Sequence, residues 1–261
     1  MAFIWTRKSY LPTAISILRR LLPVAGWLTL LFSSVVNADL KPYQLEYSIT
    51  AKGIELTTTR QLQAQEYGWQ ILQDTDTLLM RLTEDSRFLM DMEKGLINNS
   101  YHYKRSVFGN SKEYRLLFSS KDHQAQFQEK NNVEYIDYQQ PVYDALNYQL
   151  QIRLDLLNNA DTFTEKTYPV LEKNRIRNFR FSYTGEENLQ TKAGLLRTIK
   201  IERVRENQKR KTIIWLAKDW DYIIAKMEHQ EDGEPESTLE LRRGTLAGRA
   251  ITGLSIPPDK L

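Results

Sequence analysis

The chain has 261 residues, 36 Lys and Arg against 33 Asp and Glu, 41% hydrophobic and 26% charged residues, and no cysteine. That balance excludes wholesale disorder and a polytopic membrane protein. The missing thiols exclude disulfide frameworks, thiolate metal sites, cysteine nucleophiles and lipoprotein acylation.

Residues 1–38 read as an export signal. Their four basic side chains (Arg7, Lys8, Arg19, Arg20) meet no acid, so the formal charge of +3 belongs to them and the remainder carries −1. A near-neutral body lacks the cation surplus of a nucleic-acid binder. Residues 21–36 are uncharged, and Val36-Asn37-Ala38 offers small residues for cleavage after Ala38. Sixteen uncharged residues, broken by Pro23 and Gly26, fall short of the ~20 that span a bilayer. A periplasmic protein without a membrane span is expected, an uncleaved anchor being the alternative.

From Asp39 onward, period-2 alternation dominates, the signature of half-buried strands. Strands are expected near 44–50, 57–62 and 69–71, then at 77–82, 86–92, 97–105, 112–119 and 124–129. Turns are expected at Gly53, Tyr67-Gly68, Glu84-Asp85, Lys94-Gly95, Gly109-Asn110, Lys121-Asp122 and Asn131-Asn132. Residues 141–159 break the series. Tyr148, Leu150, Ile152, Leu154 and Leu156 fit either period, but Ala, Leu, Gln and Arg favour a helix. Asp144 serves as its N-cap and Asn158-Asn159 as its stop.

Strands resume at 162–170 and 175–183, followed by a loop or short hairpin from Gly185 to Gly194. The 195–206 strand precedes 211–217, which is apolar on both faces and therefore covered on both. Asp219-Trp220-Asp221 turns the chain into 222–229, and Gly233-Glu234-Pro235 turns it into 237–242. One β-rich domain over 39–243 is expected, with a partly ordered tail over 244–261. A dozen strands, each twisted by roughly 20–25° from its neighbour, must curl or split. The expected architecture is mostly β: a strongly curved antiparallel sheet, an open or half-closed barrel, with one amphipathic helix packed on its concave face.

Three stretches carry a family resemblance: Val142-Tyr143-Asp144-Ala145-Leu146 running into 149–157; Tyr168-Pro169-Val170 followed by Lys173; and Trp215-Leu216-Ala217-Lys218-Asp219 followed by Asp221-Tyr222. Over about residues 42–242 the chain resembles the exported bacterial family of domain of unknown function 3108, departing from its pattern at Asn147, where a Ser is expected. The resemblance implies a Gram-negative envelope protein whose shape is similar to the half-barrel-plus-helix of periplasmic lipoprotein carriers. It implies no activity and no catalytic residues, and a fold alone does not fix a function.

Chemistry is sparse. His102, His123 and His229 show no metal-ligand spacing. No G-x-S-x-G elbow or phosphate-binding glycine loop is present, so no catalytic residue, metal or cofactor is expected. Asp219/Asp221 and Glu186/Glu187 read as turn caps before acid–base pairs. The basic run Arg203, Arg205, Lys209, Arg210, Lys211 reads as a solvated hairpin tip or a contact for anionic head groups. Phe179, Phe181, Tyr183 and Trp215, facing Tyr148 and Ile152 of the helix, read as the lining of an apolar pocket or as filled core. The expected function is non-enzymatic binding of an apolar ligand, a lipid or a lipoprotein acyl chain. The alternative is an envelope assembly protein that binds a partner along its sheet edges.

Overall fold

The computed structural model describes residues 40–254 apart from 79, 92–94 and 206–208. The expected leader, 1–38, and the last seven residues of the tail lie outside them. Eight strands come first, as a meander: β1 (Tyr43–Ala51), β2 (Ile54–Gln65), β3 (Gly68–Asp76), β4 (Met80–Asp91), β5 (Gly95–Val107), β6 (Asn110–Ser119), β7 (Gln124–Glu129) and β8 (Asn132–Asp137). Helix α1 (Asn147–Asn159) leads into β9 (Glu165–Glu172), β10 (Arg175–Thr191), β11 (Gly194–Val204), β12 (Arg210–Ala217), β13 (Ile223–Glu231), β14 (Glu234–Leu246) and the short β15 (Arg249–Ala250).

All fifteen strands form one antiparallel sheet, because β14 returns to pair with β1, Tyr43 lying opposite Leu246. The two edges are therefore β8 and β9, and the sheet is not closed into a barrel. Tyr143, just before the helix, makes a single parallel bridge to Val170 of β9. Across the same gap Asn174 Nδ2 donates to Glu134 Oε2 at 2.8 Å. The outer edge of β8 has no backbone partner among the described residues.

Three local expectations are corrected. Glu84-Asp85 is no turn but the middle of β4, with Glu84 facing inward to polar partners. Gly185–Gly194 is no loop: β10 continues through it, with a bulge between Tyr183 and Gly185 that bends the strand while pairing persists to Thr191. And 132–137, which the alternation left unassigned, forms the edge strand β8.

The helix sits inside the curve and buries two apolar stripes. Leu150 and Leu154 pack with Leu45, Tyr47, Leu62 and Ile71 of the first strands. Tyr148, Ile152 and Leu156 pack on Tyr168, Phe179, Phe181, Ile199 and Ile201 of the later ones. Each such side chain contributes roughly 1.5–3 kcal/mol by leaving water, which is what holds a 13-residue helix too short to persist alone. The tail straps down beside Trp220 and the start of β11. Trp220 Nε1 donates to Thr252 O at 3.1 Å, and Leu254 N donates to Leu195 O at 2.8 Å. Gly194 and Gly253 meet backbone to backbone there, so that a Cβ on Gly253 would collide with Leu195 N.

Candidate functional site

Two places bear on the expected apolar pocket: the space beneath the helix and a groove at the end of the strands where the helix begins. A further cleft of about 510 Å³ lies against β1, β2 and β14, and its walls carry the Glu46–Arg243 ion pair. Four of the six expected lining residues are brought together beneath the helix, where they fill the space. The Tyr148 ring stacks on Phe181 at 6.2 Å and 16° and meets Phe179 edge-on at 5.4 Å and 86°. Phe181 and Ile152 are fully buried. The other two lie elsewhere. Tyr183 is 42% exposed. Trp215 lies on the outer face, its indole N–H donating to Glu187 and its ring capped by Lys226 Nζ at 4.9 Å. What remains between Tyr47, Arg60, Leu150 and Arg153 is a void of about 10 Å³, room for about one water.

The polar side chains under the helix start form two connected sets. Arg60 donates through Nε to Gln73 Oε1 (2.9 Å) and through Nη1 to Gln149 Oε1 (2.8 Å). Gln73 Nε2 and the Tyr101 hydroxyl both donate to Glu84, at 2.9 and 2.5 Å. Burial raises the proton affinity of Glu84 against the opposing pull of those donors and of Arg60.

The second set is the cap. Asp144 Oδ1 accepts the amides of Leu146 and Asn147, both at 2.9 Å, and Oδ2 accepts Ser86 Oγ at 2.6 Å. Asn147 returns the bond by accepting the Asp144 amide at 2.9 Å, the reciprocal arrangement of a capping box. Asn147 also donates to Asn98, whose Nδ2 donates to Val142 O at 2.6 Å.

That last bond fixes the floor of the groove. The groove encloses about 470 Å³ and is lined by the apolar Leu96, Ile97, Tyr138, Pro141 and Val142 and by the polar Asn98, Ser120, Lys121, His123, Gln139 and Gln140. The rim is braced: Tyr138 N donates to His123 O at 2.8 Å, Tyr138 Oη donates to Ser119 O at 2.9 Å, and the two rings sit edge-on at 6.0 Å. Sequence reasoning missed this site. Its one local signal is Pro141-Val142 between a strand and a helix start, which reads as a connector.

The candidates for reactive chemistry are dispersed. Asp219 pairs with Arg197 (Oδ2–Nε 2.9 Å), Asp221 with Lys41 (2.7 Å), Glu186 with Lys218 (2.6 Å) and His102 with Glu113 (2.8 Å). Among the described residues no three His, Asp or Glu side chains converge as a metal site would need.

A family model described as Protein of unknown function (DUF3108) matches residues 42–240. Among solved structures the chain is similar to a DUF1089 family protein from Pseudomonas aeruginosa, at 10% identity and a TM-score of 0.36, covering 64% of this chain and 87% of that one. It is also similar to a candidate lipoprotein from Parabacteroides distasonis, at 12% identity and a TM-score of 0.32, covering 79% of this chain and 96% of that one. Likenesses this distant carry no functional argument. No curated protein matches the chain.

Proposed function

The chain belongs to that family of unknown function, and from this premise we propose that it is a non-catalytic, exported envelope protein that holds a small apolar ligand in the groove floored by Leu96, Ile97 and Val142. One observation carries the reading: about 470 Å³ is open at the strand ends against about 10 Å³ beneath the helix. Ligand pockets run from ~300 to ~1,000 Å³ with mostly apolar walls and a few fixed polar groups. The groove has that size, and most of its exposed lining area is apolar although polar side chains surround it, which suits a segment of an acyl chain better than a whole lipid. Export rests on the leader sequence; among the described residues no helix is long and apolar enough to cross a membrane.

Displacement of a fluorescent fatty-acid probe tests the groove. Ile97→Glu sets a carboxylate in the apolar floor and weakens probe binding about tenfold or more, whereas Phe179→Leu in the packed interior leaves it unchanged. Equal affinity in wild type and Ile97→Glu would dismiss the groove as the seat.

A second reading is favoured by the bare outer edge of β8, beside which Val133 (43%) and Tyr135 (64%) are exposed: a partner strand adds to the sheet there. A photo-crosslinker at Tyr135 that captures no reproducible partner in intact cells would remove it.

A further inference from the structure

The basic run after β11 reads in the sequence as a single hairpin tip, and the fold takes it apart. Arg210 pairs with Glu231 at 2.8 Å and Lys211 with Glu202 at 3.5 Å. Arg205 Nη2 donates to Thr212 Oγ1 at 3.1 Å, and that oxygen lies 2.9 Å from His229 Nδ1. Arg203 behaves differently. It follows Ile199 and Ile201 on the inner face of β11, half-buried, with its guanidinium carbon 3.3 Å from the centre of the Phe179 ring. Among the described residues it has no hydrogen-bond or ion-pair partner.

This position lies at the end of the strands opposite the groove, since β11 runs out at Val204 toward the start of β10, whereas the groove lies past the end of β8. The charged and titratable groups around it are Arg205 just beyond its own strand, Arg177 on β10, Glu172 on β9 and Tyr148 on α1. Glu172, the acid of this set, already bonds Arg177 Nε at 3.3 Å. His229 of β13 faces Arg203 and Arg205, and it also feels Glu236. Among the described residues the acid that acts on Arg203 is thus Glu172, which Arg177 already engages. Burial and the neighbouring Arg205 lower the proton affinity of Arg203 to about 10.

Stacking on Phe179 occupies the face of the guanidinium and holds its plane, while its five N–H donors project at the edge in the fork that matches carboxylate and phosphate oxygens. A half-buried fork that is oriented, charged and unpaired is a recognition element waiting for an anion. We propose that Arg203, held on Phe179 and flanked by Arg177 and Arg205, binds a phosphate group at the mouth of the half-barrel, either as free phosphate or as a lipid head group.

Thermal unfolding in inorganic phosphate, against sodium chloride at matched ionic strength, and co-sedimentation with phosphatidylglycerol or phosphatidylcholine vesicles test this on wild type, Arg203→Gln and Arg203→Lys. If the ligand is free phosphate, it raises the wild-type midpoint, Arg203→Gln binds about tenfold or more weakly, and Arg203→Lys falls between. If the ligand is a head group, wild type sediments with phosphatidylglycerol and not phosphatidylcholine, and Arg203→Gln stays in the supernatant. The proposal is overturned if wild type responds to neither probe, or if Arg203→Gln responds as wild type does. Arg203→Lys, which keeps the charge and the stem, guards against a folding defect in the Gln variant.

Discussion

Replacing Asp144 by Asn should flatten the pH dependence of stability, because this carboxyl is the most deeply enclosed acid of the helix cap. It is fully buried among Ser86, Leu146 and Asn147, and burial pushes its pKa from 3.8 up to about 7 in spite of the three donors it accepts. The folded protein therefore holds this proton more tightly than the unfolded chain does. Between pH 3.8 and about 7 the folded state carries the extra proton, so stability is full below that window and falls as pH rises through it. Each tenfold change in proton affinity is worth about 1.4 kcal/mol, which caps the loss at about 4 kcal/mol. The side-chain amide introduced by Asp144→Asn keeps an oxygen for the two backbone N–H groups and offers an N–H₂ to Ser86, whose hydroxyl turns round to accept it. Urea unfolding, followed by tryptophan fluorescence from pH 4.5 to 8, gives the comparison. Glu84 titrates with the same sign, is common to both proteins and acts on Asp144 through its charge, so the difference between the two curves belongs to Asp144 together with its coupling to Glu84. Superimposable slopes would refute the argument. A wild type that gains stability with rising pH relative to the variant would show that the three donors outweigh burial.

Two residues of one strand should respond very differently to truncation. Phe181→Ala, at a fully buried position against Tyr148 and Tyr168, is expected to cost about 3–5 kcal/mol in chemical denaturation. Tyr183→Ala, two residues on and 42% exposed, is expected to stay within about 0.5 kcal/mol.

The strands were legible because alternation directly reports a half-buried sheet, and the helix because Ala, Leu, Gln and Arg outweigh an ambiguous period over 147–159. Where the structure departs from the sequence pattern, one physical reason recurs: local chemistry does not fix local geometry. Glu84-Asp85 looks like a turn because acids favour turns, yet Glu84 is satisfied by Gln73 and Tyr101 from neighbouring strands. Gly185 looks like a loop, yet the chain absorbs it as a bulge. The aromatic set Phe179, Phe181, Tyr183, Trp215 divides because alternation gives two faces per strand without saying which strand end is covered. The groove was hidden for a different reason. Its floor joins β5 to a connector more than 40 residues away, a distance over which no periodicity speaks.

The pairing of Tyr43 with Leu246 joins positions about 200 residues apart. Closing so large a loop is entropically costly, and folds dominated by distant contacts assemble slowly. Until Glu234–Leu246 emerges, the first strand of the sheet stays a bare template, so every intermediate of biosynthesis carries an unzipped seam down its middle. The last long strand to be made is the one that shuts it.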